Sequence, residues 1–266
     1  MSEYVLGTDD AELSRLAFQH EVWGGVTAGL LERARVGPGA RVLDLGCGPG
    51  FTTAMLRERV GEGGSVVALD ASPRWHAHLR GVLADRGWTN VEPLEARIEE
   101  AELGEGVFDF VLARWVFSFL PDPPAVMGGL ARALVPGGGL LIQDYNHEGV
   151  SLFPRSAGFE AMIRATRELY ERSGGDTWIA GRLPGLAMDA GLRVADLRST
   201  VLSGGPESLA FRWADTFFPS FAGTFVEQGL ATEEEREGFL EDWEARKGDP
   251  RAVFFSPIVV DLELRR

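Results

Sequence analysis

The segment Val42-Leu43-Asp44-Leu45-Gly46-Cys47-Gly48-Pro49-Gly50 sets three glycines behind a carboxylate that stands two residues ahead of the first of them. Glycines at a strand-to-helix turn let a ligand approach the backbone closely, and the helix that follows offers unpaired N–H groups. Twenty residues after Gly50 stands Asp70, closing the apolar run that begins at Val66. An acid there is placed to accept from both hydroxyls of a ribose. Nicotinamide and flavin sites favour G-x-G-x-x-G with apolar residues before it, because a pyrophosphate rests on the turn. Here the spacing is G-x-G-x-G, and Asp44 would repel a pyrophosphate. It suits a ligand with a cationic amine, such as the amino-acid end of S-adenosylmethionine.

The elements that must position these residues are legible around them. Short apolar runs, Val42 to Leu45, Val66 to Leu69 and Val107 to Ala113, alternate with segments of helical spacing, which argues a parallel sheet covered on both faces. Ser72-Pro73 and Asp122-Pro123 each place a side-chain cap before a proline in a first helical turn. After Asp122, the positions Val126, Met127, Leu130 and Leu134 share one helical face, and the turn from Pro136 to Gly139 leads into another buried strand ending at Asp144. The first ~35 residues read as helical, with a break expected at Gly24-Gly25. Beyond ~150, amphipathic spacing predicts a helix around Phe159 to Tyr170 and another over Trp178 to Ala190, then a strand over Leu192 to Leu197. An aromatic stretch from Phe211 to Phe225 follows, and Thr232 with Glu235 has the spacing of a capping box. The last run alternates Ile258, Val260, Leu262 and Leu264 with Val259, Asp261, Glu263 and Arg265, the pattern of a strand with one wet face at a sheet edge.

With these residues in order, the chain resembles the class I S-adenosylmethionine-dependent methyltransferases, in particular the small-molecule, ubiquinone/menaquinone-methyltransferase-like group. The resemblance covers roughly residues 37 to 145 and rests on VLDLGCGPG, VVALDASP, VEPLEARIEE, FDFVLARWVFSFLPDP and LVPGGGLLIQDY, five segments in family order. It implies an α/β, Rossmann-like, doubly wound sheet of seven mostly parallel strands with an antiparallel last strand and a helical cap. The corresponding division is an N-terminal cap segment over 1–36, a cofactor-binding core over 37–148, and cap insertions plus the last two strands over 149–266. S-adenosylmethionine would be the cofactor and S-adenosylhomocysteine the product. Gly46 and Gly48 would line the methionine part beside Asp44, Asp70 would bind the ribose, and Ala71 would lie against the adenine. The adenine-reading turn falls to Arg97 and Ile98. Arg97 departs from the acid usual there, which leaves adenine to the Ile98 backbone and to stacking, with the guanidinium flat on the ring. The Arg114 carbonyl would accept from the methionine ammonium, and Arg15, Gln19 and Trp23 of the N-terminal segment would close over that end.

Other chemistry-bearing residues are weaker signals. Cys47, the only cysteine, lies where the loop requires a small residue, and reads as packing rather than as a nucleophile. His76 and His78, two apart on a helix, point to different sides and read as solvated. His147, Tyr145 and His20 fall near the carboxyl ends of the strands and are the candidates for a catalytic base. Arg114 stands where metal-dependent relatives place an acid, so no catalytic metal is expected. The absence of Asn-Pro-Pro-Tyr after the fourth strand and of a further cysteine leaves small-molecule acceptors: an oxygen, nitrogen or carbon nucleophile of a partly apolar, quinone-like or secondary metabolite.

A net charge of −14 excludes general affinity for phosphate backbones, and a single cysteine excludes a disulfide scaffold. No run approaches a membrane span, and the start MSEYVLGTDD lacks a signal-peptide layout, so a cytoplasmic protein, monomer or homodimer, is expected. Two alternatives remain at this stage: a nicotinamide-dependent oxidoreductase, and a non-catalytic cofactor-binding regulator or assembly protein.

Overall fold

A computed structural model describes residues 8–266; the first seven residues of the expected N-terminal cap segment lie outside the described part. The elements run α1 (Asp10–Arg33), β1 (Arg41–Leu45), α2 (Phe51–Val60), β2 (Ser65–Asp70), α3 (Pro73–Arg86), β3 (Val91–Glu95) and β4 (Phe108–Arg114). They continue with α4 (Pro123–Ala133), β5 (Leu134–Asn146), β6 (Ser151–Phe153), α5 (Ala157–Arg172), α6 (Ile179–Asp189) and β7 (Arg193–Thr200). The last are β8 (Ser203–Gly204), α7 (Leu209–Glu227), α8 (Glu233–Lys247), β9 (Val253–Phe255) and β10 (Ile258–Arg265). Ser72, Asp122 and Thr232 cap α3, α4 and α8, the last in a full capping box with Glu235.

Seven strands form one sheet in the order β3-β2-β1-β4-β5-β10-β7, in which only β10 runs antiparallel to its neighbours. Alternate residues of each strand serve two cores, as a sheet covered on both faces requires. Val42, Val66, Leu112 and Leu141 pack with Leu30 and Leu31 of α1, Leu56 of α2 and Leu79 of α3. Leu43, Leu45, Val111, Leu140 and Ile142 pack on the other face against Met127 and Leu130 of α4 and Leu183 of α6. A third core joins α5, α7 and α8 through Phe159, Phe211, Phe225, Phe239 and Trp243 and reaches Trp23 of α1 and Tyr145 of β5. A small sheet, β6-β9-β8, borders it.

Three expectations are corrected. The helix α1 does not break at Gly24-Gly25: it is one 24-residue helix, capped by the Asp9 carboxylate accepting from Glu12 N. Two helical glycines cost about 1 kcal/mol each relative to alanine, less than burial of Trp23, Leu30 and Leu31 contributes. The last strand is not at an edge. Its Asp261 and Glu263 are buried, because α1 covers the face that alternation alone reads as wet. Arg33 of α1 ion-pairs Asp261 at 2.7 Å, and Arg265 ion-pairs Glu263. Finally, His76 is fully buried, and one of its ring nitrogens lies 2.9 Å from the Asp70 carbonyl; α3 turns that face onto the sheet.

Candidate active site

At the carboxyl end of β1 the chain turns through Gly46, Cys47 and Gly48 into α2, and the Cys47 N–H donates to Leu69 O of β2 at 2.9 Å. Gly48 has φ +52°, and a Cβ built there would meet nothing within 4 Å: the backbone faces open space. Gly46, at φ +66°, is glycine for packing, since a Cβ would come within 2.6 Å of Val116. Asp70, at the end of β2, accepts from Gly48 N at 2.9 Å through Oδ2 and from Ser72 N at 2.8 Å through Oδ1. Burial raises its pKa, against those backbone hydrogen bonds. The loop and the acid are thus locked together, with an open glycine backbone beside a carboxylate. That is the donor and acceptor set a nucleoside requires.

Deeper in the crevice, the Thr53 and Thr52 hydroxyls donate to Asp44 Oδ2 at 2.7 and 2.9 Å. Burial pushes the Asp44 carboxyl up to about 6, while the two hydroxyls and the Arg114 charge act to lower it. Its carboxylate form is lost as pH falls through that value. Affinity for a ligand presenting an ammonium group is therefore expected to be flat above pH 6 and to fall about tenfold per unit below it. Calorimetry at several pH values checks this, and Asp44→Asn should lower the plateau and remove the dependence. For folding, the raised pKa acts the other way: stability from this group is lost as pH rises from 3.8 to about 6.

Arg114 ends β4. Its Nη1 donates to Thr27 Oγ1 at 3.3 Å and lies 3.2 Å from His20 Nδ1, and its guanidinium sits 4.8 Å from the Trp115 ring centre. Burial, then the Arg114 charge, pushes His20 down to about 4, so the ring is neutral at neutral pH and accepts from the guanidinium. His20 also stacks on Phe51, the first residue of α2.

Beside this crevice, and joined to it through Trp115, lies a small, partly open pocket. Trp115 stacks on Tyr145 at 5.6 Å and 14°, Phe119 packs on Tyr170 at 4.8 Å, and Trp213, Phe217 and Phe218 of α7 complete the aromatic wall. Arg15, Gln19 and His147 are its polar members. Glu12 meets the charge of Arg15 at 2.7 Å, and Gln19 Oε1 accepts from Arg15 Nη1 and Trp213 Nε1. Burial, then the Arg167 charge, holds His147 down to about 3, and it is neutral.

The structure brings Asp44, Gly46, Gly48, Asp70 and Arg114 into one crevice, with Tyr145, His147 and Gln19 in the adjoining pocket. Ala71 is exposed just past Asp70, Arg97 pairs with Glu99 and Glu100, and Ile98 packs on the sheet core beneath α4. His20 lies against Arg114, and Trp23 is fully buried behind the pocket, edge-on to Trp115 and Trp213. Burial raises the Cys47 thiol, with Asp44 and Asp70 adding to the effect, as suits a packing role. Sequence reasoning missed Trp115, Phe119, Tyr170 and Val150 as pocket walls; the first two follow β4, Val150 precedes β6 and Tyr170 lies in α5, so they share no spacing. The α7 aromatics serve twice: Phe211 and Phe225 are core, while Trp213, Phe217 and Phe218 face the pocket.

Residues 37–190 match a family described as a methyltransferase domain. The chain is 34% identical over 138 residues to a ubiquinone biosynthesis O-methyltransferase of Xanthomonas axonopodis pv. citri, covering 49% of this chain and 54% of that protein. It is 32% identical over 128 residues to a ubiquinone/menaquinone biosynthesis C-methyltransferase of Shewanella piezotolerans, covering 48% and 50%. The aligned part thus spans about half the length of these curated relatives. Among solved structures, a putative methyltransferase from Bacillus halodurans superposes with a TM-score of 0.62 at 19% identity, over 90% of this chain and 97% of that one.

Proposed function

Because the chain belongs to the methyltransferase domain family, we propose that it transfers a methyl group from S-adenosylmethionine to a small, planar, largely apolar acceptor. One observation carries this reading: the nucleoside crevice of Gly48, Asp70 and Asp44 opens through Trp115 onto an aromatic pocket whose charges are already met within the protein. When bound, S-adenosylmethionine supplies an activated methyl group, whose in-line displacement by an oxygen, nitrogen or carbon nucleophile consumes the sulfonium charge. The chain's own residues supply position and dryness. Asp70 takes the ribose, the Gly46–Gly48 backbone bounds the methionine chain, and Ala71 with Ile98 bounds the adenine, which Arg97 can cover only by leaving Glu99 and Glu100. Gln19 and Trp23 shape the pocket side of the methionine end.

Tyr145 and Trp115 present a flat wall for the acceptor ring, and the Phe119–Tyr170 pair excludes water behind it. A His147 that titrates at about 3 is too weakly basic to hold a proton at neutral pH. It serves to accept a hydrogen bond from the acceptor and orient it. His147→Leu is accordingly expected to raise KM for the acceptor and lower kcat about tenfold, with the pH profile between 5 and 8 unchanged; loss of one hydrogen bond accounts for that size. Steady-state kinetics across pH checks it.

The acidic surface and the apolar pocket favour a small molecule over nucleic acid, and no helix among the described residues is long and apolar enough to cross a membrane. The reading is of a monomer or homodimer in the cytoplasm, with 37–148 as the cofactor core, 1–36 as an N-terminal cap segment, and 149–266 as cap insertions plus the last two strands. The test is transfer of labelled methyl from S-adenosylmethionine to a panel of planar phenols, quinols and amines. Labelled product from uncharged aromatic acceptors supports the proposal; transfer only to charged or nucleic-acid acceptors overturns it.

A further inference from the structure

Arg114 poses a problem of charge. Its guanidinium is partly buried at the bottom of the crevice, and no carboxylate among the described residues ion-pairs with it. Removing a guanidinium from water without a direct ion pair is costly: burial lowers its pKa to about 10, and the charge of the nearby Asp44 carboxylate offsets that only in part. Its place is nonetheless fixed. Both of its protein hydrogen-bond partners, His20 Nδ1 and Thr27 Oγ1, take the same nitrogen, Nη1.

Those partners are held in turn. The Thr27 hydroxyl donates to Gln143 Oε1 at 2.7 Å, Gln143 Nε2 donates to Asp261 Oδ1 at 2.7 Å, and Arg33 closes the line at Asp261 Oδ2. Sheet register explains the row: Arg114 pairs with Gln143, and Gln143 with Asp261, so the three side chains share the face that α1 covers. Asp44 pairs with Leu112, two residues before Arg114, and so projects from the same face. The crevice therefore holds a fixed anion, Asp44, and a fixed cation, Arg114, on neighbouring strands.

We propose that the Arg114 side chain reads the carboxylate of the cofactor's amino-acid end while Asp44 reads its ammonium, with His20 and Thr27 as positioning residues that hold the guanidinium. The assignment rests on the S-adenosylmethionine reading of the crevice and gives Arg114 a role for its side chain, where the sequence offered only its carbonyl. A zwitterion matches an anion and a cation placed side by side, and a planar fork is suited to a carboxylate. The free nitrogens of the guanidinium supply the donors.

Calorimetry with three probes tests this on wild type and Arg114→Met: S-adenosylhomocysteine, its decarboxylated analogue, which keeps the ammonium, and 5′-methylthioadenosine, which has neither group. Wild type should prefer S-adenosylhomocysteine over the decarboxylated analogue by about 10- to 100-fold. In Arg114→Met that preference should collapse to near unity, with methylthioadenosine affinity unchanged and the decarboxylated analogue bound at least as well, since a repelling cation is gone. An undiminished preference in the variant, or an equal loss for all three probes, overturns the assignment. Should Arg114→Met fail to fold, Arg114→Lys decides: it keeps the charge without the fork, so an intermediate preference supports the proposal and a full one overturns it. A wild-type chain that binds none of the three overturns the S-adenosylmethionine reading itself, a result distinct from any pattern confined to the variants.

Discussion

Asp70→Ala is expected to lower affinity for S-adenosylhomocysteine by at least about 100-fold while leaving the sheet intact. Two hydrogen bonds from ribose hydroxyls to a desolvated carboxylate are worth about 1.5–3 kcal/mol each. The same substitution also releases Gly48 N and Ser72 N, the two backbone donors that Asp70 holds at 2.9 and 2.8 Å. Two consequences therefore add: a lost ligand contact and a loosened loop. Asp70→Asn separates them, because an amide oxygen can still accept from one of the backbone donors while the charge is gone. Calorimetric titration of the three proteins should place Asn between wild type and Ala. Equal affinity in all three would remove Asp70 from the site.

Trp23→Ala carries the largest expected effect on stability. Trp23 is fully buried and stands edge-on to Trp115 at 6.4 Å and to Trp213 at 5.5 Å, so it backs two walls of the aromatic pocket at once. Truncating a buried tryptophan costs about 3–5 kcal/mol through lost burial and the cavity left behind. Denaturant unfolding should show a loss of that size. Because the cavity opens behind Trp115 and Trp213, acceptor KM should also rise. Trp23→Phe, which keeps a ring at the contact, should recover most of the stability and of the KM. A Trp23→Ala protein as stable as wild type would mean that α1 is not held to the cap by this residue.

The parts of the fold that could be read from the chain are those set by local chemistry. Strands buried on both faces appear as unbroken apolar runs such as Val66 to Leu69, and the Ser72-Pro73, Asp122-Pro123 and Thr232–Glu235 starts are caps made within a few residues. What escapes depends on contacts that local spacing does not carry. Asp261 and Glu263 look like the wet side of an edge strand until α1, more than two hundred residues earlier, lays Arg33 over them. His76 looks like a surface histidine until the Asp70 carbonyl is seen beneath it. The strands of the small sheet, two or three residues each, are too short to carry any alternation.

The site divides in the same way. Asp44, Gly46, Gly48 and Asp70 were legible because loop and acid lie within one βαβ unit, where spacing fixes geometry. The aromatic pocket is not, because α1, β5, α5 and α7 each contribute one to four side chains to it. The aromatic stretch of α7 signalled that something was there without saying which rings faced inward. From the sequence only the carbonyl of Arg114 is a candidate; the register that sets it beside Gln143, and the helix that brings Thr27 and His20 to it, are what support the role proposed for its side chain.

On the proposed function, the crevice takes S-adenosylmethionine and its demethylated product. Titrating the purified chain in separate calorimetric experiments with S-adenosylhomocysteine and with NADH at pH 7.5, above the Asp44 transition at about 6, tests it most directly. The account predicts saturable one-to-one binding of S-adenosylhomocysteine and none of NADH. Binding of NADH with no response to S-adenosylhomocysteine would contradict it.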